Sequence, residues 1–150
     1  MWVTVCASEQ PSAVGAPSLR ASLCTAVYLF LIIFYWTPPH FWALALNKQR
    51  DYGSAGVPMA PLVWGERETM RNMLWYTMIL IPLTLLPAAF GALGIPYLVM
   101  AALLDAWLLV GVVRVIRAQD FVKPAWALYT YSLLYLALLF AAMVVDRAVA

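Results

Sequence analysis

An all-α membrane protein with four transmembrane helices is the fold this sequence predicts, and three observations predict it. Hydrophobic residues make up 65% of the 150 residues and charged residues only 11%, with a mean hydropathy of +0.85. Four separate stretches are each apolar over about the 20 residues that a helix needs to cross a bilayer. None of them shows the period-two alternation of a membrane barrel strand. A soluble domain carries roughly 25% charged residues, and a globule of this length has too little interior to hide so much apolar surface. The surplus faces lipid, so the bilayer is an expected partner. No block of basic residues suggests nucleic acid, which is excluded as a partner.

Residues 1–20 are less apolar, contain Pro11 and Pro17, and read as a poorly defined tail. A signal peptide needs a basic start, and the first basic residue is Arg20, so none is assigned. Cys6 and Cys24 lie far apart without metal spacing or a disulfide framework and are expected to be unpaired. The first span covers about residues 21–46 and contains Thr37, Pro38, Pro39 and His40. A proline inside a helix removes a hydrogen bond and clashes with the preceding turn, at about 3 kcal/mol. Two in succession predict a bend or a break, which a membrane tolerates only where protein or a water-filled cavity surrounds the freed carbonyls.

A polar loop, 47–72, follows, and the second span covers about 73–90. Within "GERETMRNM", Glu66, Arg67, Glu68 and Arg71 suit the start of a helix, where carboxylates meet the positive end of its dipole. "GALGIP" is a short turn into the third span, about 95–116. That span carries Asp105. A carboxylate at mid-membrane costs roughly 2.5–3.5 kcal/mol, so Asp105 is expected to face the bundle interior. Arg114 is too far along the same helix to pair with it, and the sequence names no other partner. "RAQDFVKP" leads to the fourth span, about 125–145.

Charge placement gives the orientation. Seven of the nine basic residues (Lys48, Arg50, Arg67, Arg71, Arg114, Arg117, Lys123) fall at one end of four alternating spans, against Arg20 and Arg147 at the other. Basic residues favour the cytoplasmic side, which predicts a multi-pass inner or plasma membrane protein with loops 47–72 and 117–124 in the cytoplasm. Trp36, Trp42, Trp75, Tyr76, Trp126 and Tyr129 lie near span ends and suit interfacial anchoring.

The chemistry-bearing residues cluster around that loop. His40, the single histidine, could ligate a metal or haem iron, or move a proton. In "KQRDY", Lys48 and Arg50 could partner a substrate phosphate, Asp51 could be a hard oxygen ligand for Mg²⁺, and Tyr52 could add a hydroxyl donor. The same charges also fit an ordinary positive-inside loop.

The stretch "FLIIFYWTPPHFWALALNKQRDYGSAGVPMAPLVWGE" resembles the haem O synthases (protohaem IX farnesyltransferases), a family of UbiA-type intramembrane prenyltransferases. The signature is "WTPPHFWALAL", then a charged pair, "DY" and "AGVPM". "YSLLYLALLFAAMVVD" is similar to the family's last helix, and the resemblance spans about residues 19–146. It implies a nine-helix bundle, of which these four spans are the carboxy-terminal part. It also implies transfer of a farnesyl group from farnesyl diphosphate to a vinyl group of haem B, giving haem O. Haem B is then a substrate, Mg²⁺ a cofactor for the diphosphate, and haem A synthase or a terminal-oxidase assembly a candidate partner.

The resemblance casts Asp51 as the Mg²⁺ ligand and catalytic residue, with Lys48, Arg50 and Tyr52 beside it. It places His40 on the haem side, with Thr37, Pro38 and Pro39 shaping the cavity. The family's first motif, N-D-x-x-D-x-x-x-D, does not occur in the chain. The sequence is therefore expected to be a carboxy-terminal portion behind an unrelated or frameshifted start, incomplete as an isolated catalyst. Two alternatives stand beside this reading. One is a non-catalytic four-span membrane subunit or haem-binding scaffold, and the other a prenyltransferase acting on quinone precursors.

Overall fold

The computed structural model describes residues 19–149. Among them the chain forms six helices: α1 (Leu19–Asn47), α2 (Gln49–Ser54), α3 (Ala60–Val63), α4 (Glu66–Ala89), α5 (Ile95–Arg117) and α6 (Val122–Val149). Four are long and apolar enough to cross a membrane, over Ser22–Asn47, Glu66–Ala89, Ile95–Arg117 and Val122–Ala148. They pack as a ring, α1 against α4, α4 against α5, α5 against α6, and α6 back against α1. The core follows the seams of that ring, with Ile32, Leu46, Met73, Leu80, Tyr97, Leu108, Val112, Tyr135 and Leu139 fully buried. Phe30, Phe34, Phe41, Trp75, Trp107 and Trp126 remain exposed on the outside, as expected of side chains that meet lipid rather than water.

The two ends of the ring are tied differently. At one end Asn47 Nδ2 donates to the Val122 carbonyl at 2.9 Å, which brings the end of α1 to the start of α6. The 48–65 segment and the 118–121 turn therefore share that end. At the other end Asp146 Oδ2 accepts the Gly94 N–H at 2.7 Å, so the last turns of α6 clasp the start of α5. The fit is close, since a Cβ on Gly94 would lie 2.9 Å from Asp146 Oδ1. Asp146→Ala should lower stability by about 1–2 kcal/mol, the cost of a donor left without its charged acceptor. Unfolding of the detergent-solubilised protein checks this, and an unchanged midpoint would show the clasp to be dispensable.

Several expectations need correction. The double proline breaks nothing: α1 runs without interruption through Pro38 and Pro39. Two missing bonds weaken a 29-residue helix without ending it, because a bilayer gives freed backbone no better partner than the helix itself. Thr37 helps locally, donating from Oγ1 to the Ile33 carbonyl at 2.6 Å. Helix α4 solves the same problem with a neighbour. Pro87 cannot donate to the Leu83 carbonyl, and Tyr28 of α1 does so instead, from its hydroxyl at 3.2 Å.

The polar loop is shorter than expected, because α4 begins at Glu66. Its first turn holds the paired side chains of Arg71 and Glu68, and Gly65, with φ +87, supplies a left-handed start that other residues adopt only under strain. Trp36 is not an interfacial anchor, since it is buried and donates from Nε1 to the Ser132 carbonyl at 2.9 Å. Cys24 is disulfide-bonded, against the expectation of an unpaired thiol. Cys6 and the 1–18 tail lie outside the described residues.

Candidate functional site

His40 lies seven residues before the end of α1, which places it about 10 Å below that end at 1.5 Å per residue. Its ring is sandwiched. Trp36, one turn earlier, stacks on one side at 4.5 Å, and Tyr129 of α6 stacks at 4.7 Å with an interplanar angle of 25°. Trp126 continues the column beyond Tyr129 at 5.4 Å. Phe41, more than half exposed, meets the imidazole edge-on at 5.5 Å. Within this stack His40 Nδ1 lies 2.7 Å from Ser132 Oγ, and that hydroxyl donates to the Tyr129 carbonyl at 2.7 Å.

These contacts follow from local sequence. Trp36 and His40 are four apart, so α1 offers one stripe to the α1–α6 seam. Tyr129 and Ser132 are three apart and share their own helix's seam-facing stripe. The sequence marked His40 but missed Ser132, Trp36 and Tyr129 as its setting. The available signal was a single serine in the apolar run "YSLLYLALLF", since an unpartnered hydroxyl is costly in a membrane interior.

The charged residues sit above, around α2. Lys48 Nζ and Asp51 Oδ2 are paired at 3.1 Å, with both side chains about half exposed or more. An exposed pair of this kind contributes about 0–1 kcal/mol. Breaking it to engage a ligand therefore costs little, and both charges are available. Tyr52 follows Asp51 and lies one helical turn from Lys48, whereas Arg50 is two residues from both Lys48 and Tyr52, on a different side of a helix. The structure thus groups Lys48, Asp51 and Tyr52 and sets Arg50 apart. Thr37, Pro38 and Pro39 occupy the turn below His40, as parts of a continuous helix rather than a break.

Next to this group an open groove of about 680 Å³ runs between the loop and the start of α4, lined among others by Gln49, Trp64, Glu66, Arg67 and Arg71. Gln49 Nε2 donates to Glu66 Oε1 at 2.9 Å. Its Oε1 is the one buried side-chain nitrogen or oxygen without a partner among the described residues.

Asp105 belongs to a different place. It is buried inside the ring, where Tyr135 donates to Oδ1 at 2.6 Å and Thr84 Oγ1, which also reaches the Ile81 carbonyl at 2.8 Å, lies 2.6 Å from Oδ2. Tyr97 donates to the Thr84 carbonyl at 2.8 Å. The missing partners of Asp105 are therefore hydroxyls from α4 and α6, not a cation. Arg114 instead lies over the Trp107 ring at 5.9 Å.

No group of three or more His, Cys, Asp or Glu side chains that could hold a metal ion occurs among the described residues. Asp51 by itself offers one carboxylate, which is part of a Mg²⁺ site and not a complete one.

Comparison with known proteins gives this geometry a context. The model of the UbiA prenyltransferase family matches residues 7–143, so the likeness reaches into the tail that was expected to be unrelated. The chain is 51% identical over 140 residues to the Protoheme IX farnesyltransferase of Roseiflexus castenholzii, covering 93% of this chain and 26% of that protein. It is also 51% identical over 146 residues to the Chloroflexus aurantiacus protein of the same name, covering 24% of it. Against the Gloeobacter violaceus protein of that name it is 44% identical over 137 residues, covering 45% of it. The chain thus spans between about a quarter and a half of the length of these curated relatives. No solved structure matches. With the family model covering most of its length, this chain belongs to the UbiA prenyltransferase family.

Proposed function

We propose that the chain supplies part of a haem O synthase, in which the farnesyl group of farnesyl diphosphate is transferred to a vinyl group of haem B. The observation that carries this reading is vertical order. A fixed histidine lies on an aromatic seam about 10 Å below a helix end, and a loosely paired cation and carboxylate lie just beyond that end. A porphyrin and an isoprenoid are apolar and flat or extended, and the seam suits them. A diphosphate is strongly anionic, and Lys48 suits it, with Arg50 a second cation on another side of the same short helix. The names of the relatives point the same way.

In the transfer, the farnesyl C1–oxygen bond breaks and the diphosphate leaves with the electron pair. The terminal vinyl carbon of haem B attacks C1, and water adds to the carbon next to the ring, losing a proton. Lys48 stabilises the departing charge, which is electrostatic assistance where charge develops, and Arg50, on another side of α2, adds to it from further away. Tyr52 is a hydroxyl donor to the same group. Mg²⁺, when bound, would neutralise diphosphate oxygens, with Asp51 as one of its ligands.

The distribution of basic residues supports a cytoplasmic position for segments 47–72 and 117–124 and a multi-pass plasma membrane location. Haem O formed there would pass to haem A synthase or to terminal-oxidase assembly.

The test supplies haem B and farnesyl diphosphate to the purified chain in nanodiscs, alone and together with the amino-terminal portion of a relative. Haem O, detected by mass spectrometry, is expected in the complemented sample. Prenylation of a quinone precursor in its place would assign the chain to that other chemistry. Haem binding without transfer in the complemented sample would make it a scaffold. The lone Asp51 favours that second reading for the chain without a complementing half.

A further inference from the structure

The hydrogen bonds around His40 decide more than its position. A serine hydroxyl has one hydrogen. Ser132 gives that hydrogen to the Tyr129 carbonyl at 2.7 Å. Its oxygen can then only accept at the second contact, so the proton between Ser132 Oγ and the imidazole belongs to His40 Nδ1, 2.7 Å away. A neutral imidazole carries one N–H, which leaves Nε2 with a bare lone pair.

His40 as a whole is buried, 7% exposed, but Nε2 has no hydrogen bond among the described residues and is not among the buried side-chain nitrogens and oxygens without a partner, so its edge alone reaches the surface of the bundle. The rings of Trp36 and Tyr129 cover both faces of the imidazole and prevent it from turning. Two exposed aromatics, Phe41 and Trp126, continue this cluster onto the outer surface.

A rigid imidazole with Nδ1–H committed to an oxygen and Nε2 left open is the arrangement seen in metal-ligating histidines, where the outer hydrogen bond orients the ring and raises its basicity. It suits a proton carrier poorly. The Ser132 hydrogen ends on a backbone carbonyl, so the Nδ1 side offers no onward path for a proton.

We infer that His40 Nε2 is an axial ligand to the iron of the porphyrin substrate, and that Ser132 is the positioning residue that sets the tautomer. The inference rests on the haem reading above and adds how haem is held. The ring plane would then lie across the α1–α6 seam beside Phe41 and Trp126, with the iron fixed and the vinyl edges free to be presented to the isoprenoid.

Two measurements test it. The chain has a single histidine, so [¹⁵N]histidine labelling of the protein, purified without a polyhistidine tag, gives one imidazole spectrum. In the absence of haem, Nδ1 is expected to be the protonated nitrogen, and Ser132→Ala should shift the ring toward a mixture of tautomers. A protonated Nε2 in the wild-type chain would overturn the inference whatever haem does.

The second measurement adds ferrous haem B to the chain in nanodiscs and records absorbance and resonance Raman spectra. The wild type should show a five-coordinate, histidine-ligated haem with an iron–imidazole stretch. His40→Ala should lose that band, and free imidazole should restore it. Ser132→Ala should keep the band at a shifted frequency and weaken haem binding by roughly 10-fold, the scale of an outer-shell loss. Haem binding with a spectrum unchanged by His40→Ala would overturn the ligand assignment and leave the haem reading standing. A wild-type chain that binds no haem, tested together with the complementing amino-terminal portion, would overturn both.

Discussion

Asp105→Ala is expected to destabilise the bundle by about 1–3 kcal/mol, the cost of the buried Tyr135 hydroxyl left without its acceptor, since Thr84 keeps the Ile81 carbonyl at 2.8 Å. Tyr135 and Thr84 both end on this carboxylate at 2.6 Å, from α6 and α4, while Asp105 itself is on α5. One side chain therefore joins three of the four long helices. The surroundings give the stranded hydroxyl no water to turn to, since Tyr135 is fully buried. Partial removal should be informative. Tyr135→Phe and Thr84→Val each take away one hydroxyl, and in the Asp105→Ala background Tyr135→Phe should recover part of the loss, because the hydroxyl stranded by that change is then gone. Reversible unfolding of the four variants in mixed micelles gives the coupling energies. A loss below about 1 kcal/mol for Asp105→Ala would mean that the network is worth no more than an ordinary exposed contact.

Asp51→Asn is expected to lower haem O formation in the complemented system by about 100-fold or more, the scale seen when one group that stabilises developing charge is removed. The change preserves shape and removes only the negative charge. It should leave stability nearly unchanged, because the pair it forms with Lys48 is largely exposed. Haem binding should also persist, since His40 and its partners lie a turn and more below on α1 and across on α6. A rate equal to the wild type would remove Asp51 from the reaction and return the loop to a purely topological role. Arg50 gives an internal comparison. It is not on the Lys48–Asp51 side of α2, so Arg50→Ala is expected to reduce the rate less than Lys48→Ala.

The four spans were legible because lipid exposure is a property of composition. A helix of about 20 apolar residues is specified by those residues alone, whatever packs beside it. The ends were less legible. The start of α4 at Glu66 lies seven residues before the expected span, since charged residues continue a helix into the headgroups without an apolar signal. The double proline does not make the expected break, for a related reason. Its local cost of about 3 kcal/mol per residue is set in water, whereas in a bundle the alternatives to helix are worse and a neighbour such as Tyr28 can supply a missing donor.

The candidate site divides along the same line. His40, Lys48, Arg50, Asp51 and Tyr52 could be named from residue type and spacing, because each carries chemistry that its neighbours lack. Which of them act together was not written there. The partners of Asp105 are 21 and 30 residues away in the chain, and the partner of His40 is 92 away. Trp36 shows the same limit from the other side: by position it suits a lipid anchor, yet it donates to the Ser132 backbone across a helix seam.

Composition and local pattern thus settled the solvent the chain lives in, the number of crossings and the residue types able to do chemistry, since these depend on short-range properties of the polymer. The closure of the ring decided the rest. It set which hydroxyl answers the buried carboxylate and which hydroxyl meets His40, because each of these depends on atoms that meet only when distant helices pack.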